Sequence, residues 1–450
     1  MLQLNRPEVL ALSPGLTLYA FPTDRFKSAR LTVFTVFGAD RRLSPRMALL
    51  FHVLGRGTER YPRRSLLNRR LDELYGTTLN VNNFCNGDVR ISSITVEPLE
   101  DRFLPPCDRD IDLLGSSIEV LAQLMLHPLR DPDGLLRRDI VEKEKKALYD
   151  DIIDSRSRPD SYAADRFRAL LYHDEPCGIP LFGDPDEIMS VTAEELTALW
   201  KTWLTGMRFE VFYIGQTPAG TVADKWRAAF GDFSPCPPPS LPTLLHKAPA
   251  DVRRVDEERP LAQGKLYVCM TSDIDPVREP ETMAAAVLMN ELLGGMSGSL
   301  LFRHVREELG LCYCCDSAYD ASKAVLIVFC GVGTENRQEA EQAIHDCIGR
   351  IKNGDFTDAE TELARVSYRS QCRRIPDSAY AMENVWLDRL LVDGKGLTSG
   401  RIADPCIRME QVLSAGRGDI IAAANRFRLD TVYYLGGKDG EDPAEENGGL

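Results

Sequence analysis

The stretch Met47-Ala48-Leu49-Leu50-Phe51-His52-Val53-Leu54, closed by Gly55-Arg56-Gly57-Thr58, decides how this chain is read. It is apolar apart from one histidine and stops at a glycine-bearing turn, as helices commonly do. Residues four apart on a helix share a face, so Ala48 and His52 lie together. Phe51 joins Leu49, Leu50, Val53 and Leu54 in an apolar stripe that keeps water away. One imidazole is all the polar chemistry this segment offers.

The same pattern returns in the second half of the chain. An apolar, β-branched run at 29–37 is answered by one at 265–270, and the helix-like 47–54 by 283–293, followed by Gly294-Gly295-Met296-Ser297-Gly298. A further helix stops at Gly76 in one half and at Gly310 in the other. Strands are expected at 77–81 and 89–96, then at 311–318 and 324–332. Charged helices at 135–153 and 162–172 are matched by 358–373 and 378–391. The recurring Arg158-Pro159-Asp160-Ser161-Tyr162-Ala163 and Ile375-Pro376-Asp377-Ser378-Ala379-Tyr380 each place Pro-Asp-Ser before a helix, where Asp or Ser can cap it. This order implies an α+β fold of two homologous halves, each a mainly antiparallel sheet with helices packed on one side. The expected halves are 1–232 and 252–435, joined by a Pro-rich linker at 233–251 and followed by an acidic, Gly-rich tail at 436–450. Residues 101–112, with Pro105-Pro106-Cys107, read as a surface loop inserted in the first half only.

A chain of 450 residues with 44% hydrophobic and 27% charged residues has ample core for two domains. Its net charge of −14 disfavours nucleic acid and anionic membrane as partners. No run is long enough to span a bilayer, and residues 1–7 lack a basic start with an apolar core. The twelve cysteines show no framework spacing, and several fall in apolar strands, which fits a reducing, cytoplasmic setting.

The segment 48–58 resembles the active-site helix of the M16 (insulinase/pitrilysin/processing peptidase) zinc peptidases. There, His-x-x-Glu-His precedes an apolar pair and a Lys/Arg-Gly-Thr turn. Glu142-Lys143-Glu144-Lys145 ahead of Asp150-Asp151-Ile152 resembles the family's distal Glu helix. Residues 292–302, with Val305-Arg306-Glu307 and Gly310-Leu311-Cys312-Tyr313, resemble its second-half signature. The resemblance covers nearly the whole chain and implies the M16/LuxS-like metallohydrolase fold, with two halves forming a chamber. The departures matter more. Ala48 stands at the first His position, Phe51 at the Glu position, and Asp151 at the distal Glu position; of the His-x-x-Glu-His residues, His52 alone remains. A catalytic zinc needs about three protein ligands and a water. No metal is therefore expected in this chain, and His52 reads as a core or rim histidine hydrogen-bonded to a neighbour. Asp151 reads as a helix-surface carboxylate. His127, His173, His246, His304 and His345 are scattered and unpaired. Cys312, Cys314 and Cys315 are clustered, but strand alternation points Cys315 away from the other two.

By the same resemblance, Arg306 and Tyr313 match the arginine and tyrosine that M16 second halves aim across the chamber. A guanidinium can hold a substrate carbonyl, and a phenol can donate to an oxyanion. The plainer reading is a surface Arg paired with a Glu, and a half-buried Tyr. Asn80 falls on 77–83, which aligns with the edge strand where family members pair extended peptides. The resemblance is strongest to the bacterial zinc-less branch associated with elongation factor P aminopentanol modification. It implies a non-catalytic subunit whose partner is a His-x-x-Glu-His M16 peptidase carrying the zinc, with an extended peptide or small unfolded protein as substrate. Two other readings stay open. One is a self-sufficient zinc metalloendopeptidase with an atypical site. The other is a purely structural or peptide-binding M16-like protein.

Overall fold

Every residue from Arg30 to Phe37 and from Val89 to Val96 is buried, so these strands need cover on both faces. How that cover is supplied organises the molecule. The structure, a computed structural model, describes residue 4 and residues 6–236, 244–393 and 404–437. Pro237, Pro238, Pro239 and Pro242 of the expected linker and the tail from 438 onward lie outside the described residues.

The first half contains β1 (Glu8–Ser13), β2 (Leu16–Pro22), β3 (Arg30–Gly38), β4 (Thr78–Asn86), β5 (Val89–Glu97) and β6 (Arg208–Gly215). Its helices are α1 (Leu43–Leu54), α2 (Arg64–Glu73), α3 (Leu113–Leu126), α4 (Arg138–Ser157), α5 (Pro159–Leu171), α6 (Pro185–Ser190), α7 (Ala193–Gly206) and α8 (Ala219–Phe230). The second half contains β7 (Arg253–Glu258), β8 (Gly264–Thr271), β9 (Cys312–Asp320), β10 (Val325–Val332) and β11 (Arg428–Gly436). Its helices are α9 (Pro280–Asn290), α10 (Arg337–Asn353), α11 (Asp358–Arg374), α12 (Ala379–Asp393), α13 (Pro405–Ser414) and α14 (Arg417–Asn425).

The sheets run β1-β2-β6-β3-β5-β4 and β7-β11-β8-β10-β9. Without the added β1 the two orders correspond strand for strand. Each sheet is antiparallel except for one pair, β2 with β6 and β7 with β11. The fold is therefore α+β and written twice, as the repeats imply. The loop at 101–112 holds only two short 3₁₀ turns.

Each half's own helices do pack on one side of its sheet. In the first half, Leu31 and Val33 face a core with Leu50, Phe51, Trp203 and Trp226. The opposite faces are covered by exchange. Trp386, Leu387 and Leu390 of α12 cover Phe21, Phe34 and Phe212 on the first sheet. Phe167 and Leu171 of α5 cover Tyr267, Val325 and Tyr433 on the second. Phe167 stacks on Tyr267 at 4.7 Å between ring centroids. Burying a large apolar side chain contributes about 1.5–3 kcal/mol, and a whole domain is stable by only ~5–15 kcal/mol. Five such side chains crossing between the halves make them one folding unit. The exchanged helix α12 follows its Pro-Asp-Ser repeat, while α5 takes its own into the first turn. Ser378 Oγ caps α12 by accepting from Ala381 N at 3.2 Å, whereas α5 starts at Pro159 with no side-chain cap.

Charge locks the same junction. Arg30 of β3 donates to Glu383 of α12 at 2.9 and 3.0 Å. The corresponding hairpin turns meet where Lys323 Nζ, fully buried, reaches Asp88 at 3.0 Å, Glu175 at 2.6 Å and the Leu244 carbonyl at 2.8 Å. His246, read from the sequence as unpaired, is buried beside this cluster. Its Nδ1 lies 2.5 Å from Glu175 and its Nε2 3.1 Å from Asp430. The expected linker therefore contributes to the core of the junction. Burial alone would lower the His246 pKa, but hydrogen bonds with Asp430 and Glu175 outweigh it and lift it to about 9. Glu175 is opposed by burial in the same way, and its bonds with His246 and Lys323 bring it down to about 2.

Removing Lys323 leaves two carboxylates facing each other, so Lys323→Ala is expected to cost about 3–5 kcal/mol in denaturant unfolding. The His246 contribution is complete below pH 6.5, the ordinary imidazole value, and is lost as pH rises through 9. Stability measured from pH 6 to about 9.5 is expected to fall, and His246→Ala to flatten that fall.

Candidate functional site

The helix α1 is buried on nearly every side, and its cap at Gly55 donates back to the Phe51 carbonyl at 3.1 Å. Ala48 and Phe51 are both 1% exposed. The Phe51 ring meets Trp203 edge to face at 5.3 Å. The position where a general base would stand is thus part of the hydrophobic core.

His52, by contrast, is only partly buried and reaches the rim of a cavity. Among the described residues it has no hydrogen-bond partner, contrary to the neighbour expected for it. Burial lowers its pKa and Arg56 adds to this, while Glu144 and Asp151 pull the other way. Asp151 is exposed on α4, as expected of a helix-surface carboxylate. Glu144, two turns earlier on the same face, is buried and held by Arg56 through contacts of 2.7 Å to both carboxylate oxygens. Glu144 belongs to the alternating run Glu142–Lys145, and its seven-residue offset from Asp151 is the signal in the sequence that puts both on one helix face.

A cavity of about 290 Å³ gathers His52, Arg56 and Arg64 with Leu79, Asn80 and Val81 of β4. Asn80 is exposed, and β4 is the outermost strand of its sheet. One rim of its backbone is therefore not used by the sheet, the condition for adding a peptide strand. The residues here do not fit a catalytic zinc. Among the described residues, His52, Glu144 and Asp151 do not bring their donor atoms within 4.8 Å of one another, and the ligand and base positions are packed apolar carbon.

The second-half residues form a separate group. Arg306 sits in the π-helical turn Phe302–Glu308, and Gly310 at φ +65° turns the chain into β9. The guanidinium lies over the Phe302 ring at 4.8 Å and over the Tyr313 ring at 5.6 Å. It makes no ion pair among the described residues, and Tyr313 is 71% exposed. The plainer reading, an Arg–Glu pair beside a half-buried Tyr, is not what the structure contains. The strand β9 is the outermost of the second sheet, as β4 is of the first. Arg306 also lines a cavity of about 470 Å³ with Met296, Cys314 and Cys315.

The cysteine expectation fails here. The β9–β10 register shifts between Gly331 and Val332, which pair with Cys314 and Cys312. This bulge reverses the alternation, so Cys312 shares a face with Cys315 and with Cys330, which pairs opposite Cys315. The sulfur neighbours Cys315 and Cys330 push the Cys312 thiol down against the effect of burial, and Arg306 adds to this.

Residues 190–367 match the family described as Peptidase M16 inactive domain. That match takes in Arg306 and Tyr313 and leaves out His52 and Asp151. Beyond the domain, the chain is similar to "Probable inactive metalloprotease YmfF" of Bacillus subtilis (strain 168). The two are 25% identical over 436 residues, 95% of this chain and 97% of that protein. In fold it is similar to a conserved protein from Enterococcus faecalis V583, with a TM-score of 0.86, 21% identity, and coverage of 97% of this chain and 100% of that one. The peptidase M16 inactive domain from Pseudomonas fluorescens superposes with a TM-score of 0.74 at 16% identity, over 97% of this chain and 100% of that one. The duplicated α+β fold expected from the sequence is shared with these solved structures. No helix among the described residues is long and apolar enough to cross a membrane.

Restoring the motif is expected to break the fold before it creates an enzyme. Phe51→Ala should cost about 3–5 kcal/mol in denaturant unfolding by cavity formation, and Phe51→Glu more, because a carboxylate has no partner beside Trp203. His52→Ala, at the rim, should cost under about 1 kcal/mol.

Proposed function

We propose that this chain is the non-catalytic subunit of a heterodimeric M16-type zinc peptidase. Its partner bears His-x-x-Glu-His and the zinc, which supplies the activated water. One observation carries this reading. Phe51 fills the base position with core packing while Arg306 and Tyr313 stay exposed and unpaired with acid. Evolutionary loss of all site chemistry would not require keeping a guanidinium stacked on an exposed phenol at an edge strand.

In the assembled pair, an extended peptide adds along β4 beside Asn80 or along the matching strand of the partner. Arg306 holds a substrate backbone carbonyl, and the Tyr313 hydroxyl donates to the oxyanion formed on attack. The substrate class is an extended peptide or small unfolded protein. The finer placement in the branch associated with elongation factor P modification belongs to this reading and rests on the sequence resemblance alone.

The test is co-purification with an M16 chain encoded nearby that retains His-x-x-Glu-His, followed by cleavage assays on each chain and on the mixture. Cleavage is expected from the mixture only. Tyr313→Phe and Arg306→Ala should each lower its kcat/KM by about 10²-fold, the usual loss for one oxyanion-stabilising donor, without preventing assembly. Full activity of both variants would leave a purely structural role. Cleavage by the isolated chain, abolished by His52→Ala, would make it a self-sufficient peptidase.

A further inference from the structure

We propose that Cys312, Cys315 and Cys330 form a thiolate site for one zinc ion, which clamps the bulge presenting Tyr313. The three sulfurs lie within 4.8 Å of one another, the one group of three or more such donors among the described residues. Cys315 and Cys330 are directly opposed across β9 and β10 and are buried. The bulge brings Cys312 to the same face and leaves Tyr313 with no partner in the β10 register. Zinc–sulfur bonds of about 2.3 Å put tetrahedral ligands about 3.8 Å apart. Side-chain rotation, with no change of register, closes the remaining gap.

The donor set selects the ion. Three sulfurs with no carboxylate exclude the hard cations and favour zinc or copper(I). Charge then separates these two. Zinc with three thiolates carries one negative charge, which Arg306 beside Cys312 balances. Copper(I) would leave two negative charges against the same guanidinium, next to an apolar core. Binding sends the thiol protons to solvent. A fourth ligand, water, enters from the cavity that Cys315 and Arg306 line together. The ion would hold both sides of the bulge, so Tyr313 would project from a fixed backbone. The site shares no residue with α1 and stands whether or not the chain works as half of a pair.

The experiment uses the full chain, reduced and stripped of metal, titrated with cobalt(II) and then zinc. One cobalt per chain with a sulfur-to-cobalt charge-transfer band, displaced by zinc, is expected. Cys312→Ser and Cys330→Ser should weaken binding at least about tenfold, with Cys314→Ser and His52→Ala unchanged. Because Cys330 is a core residue, alkylation of the unmutated chain gives a second reading. Zinc should protect Cys312, the half-buried member of the three, and leave the exposed Cys107 reactive. Absence of the sulfur band, or equal alkylation with and without zinc, overturns the site. Zinc lost on His52→Ala but kept in the cysteine variants also overturns it, and would argue against the subunit reading as well.

Discussion

Each sheet of this protein has two apolar faces and only one set of helices of its own. The exchange of α5 and α12 between the halves resolves that shortage, and the rest of the structure depends on it. Phe34 and Phe212 on one sheet, and Tyr267 and Tyr433 on the other, would otherwise face water. The buried ions follow from the same exchange. Arg30 and Lys323 sit where the halves close, and each is met by acid from across the junction. Buried pairs of this kind add little net stability over well-packed carbon, but they penalise any other alignment of the halves. The exchange and the ion cluster together set the relative position of the two edge strands.

Within that fixed frame α1 packs as a core helix, with apolar carbon at positions 48 and 51. The helix α1 lies between the sheet and Trp203, and its packing does not need a ligand at position 48 or a carboxylate at position 51. Small and aromatic carbon at those positions makes the helix a better core element. The acid Glu144 remains buried because Arg56 neutralises it. What lies at this end of α1 is a small cavity lined by His52, Arg56 and Arg64 beside the outermost strand β4.

The second half kept different features. Its π-helical turns and the bulge in β9 are departures from regular structure, which tend to persist where a side chain must be aimed. They hold Arg306 against Tyr313 at the outer edge of the sheet and, on the inner face, gather three thiols beneath it.

The sequence by itself determined the duplication, the α+β class and the missing chelate. Hydrophobic periodicity is local, and the i, i+4 rule shows at once that Ala48 cannot partner His52. It also marked Arg306, Tyr313 and Asn80 as residues to examine, through the family resemblance. Only the tertiary structure decided the exchange of helices, the burial of His246 between Glu175 and Asp430, the Arg56–Glu144 pair and the convergence of Cys312 with Cys315 and Cys330. The reason is the same for each. These contacts join segments far apart in the chain, and a single bulged residue, which no alternation pattern announces, reverses which face a side chain occupies.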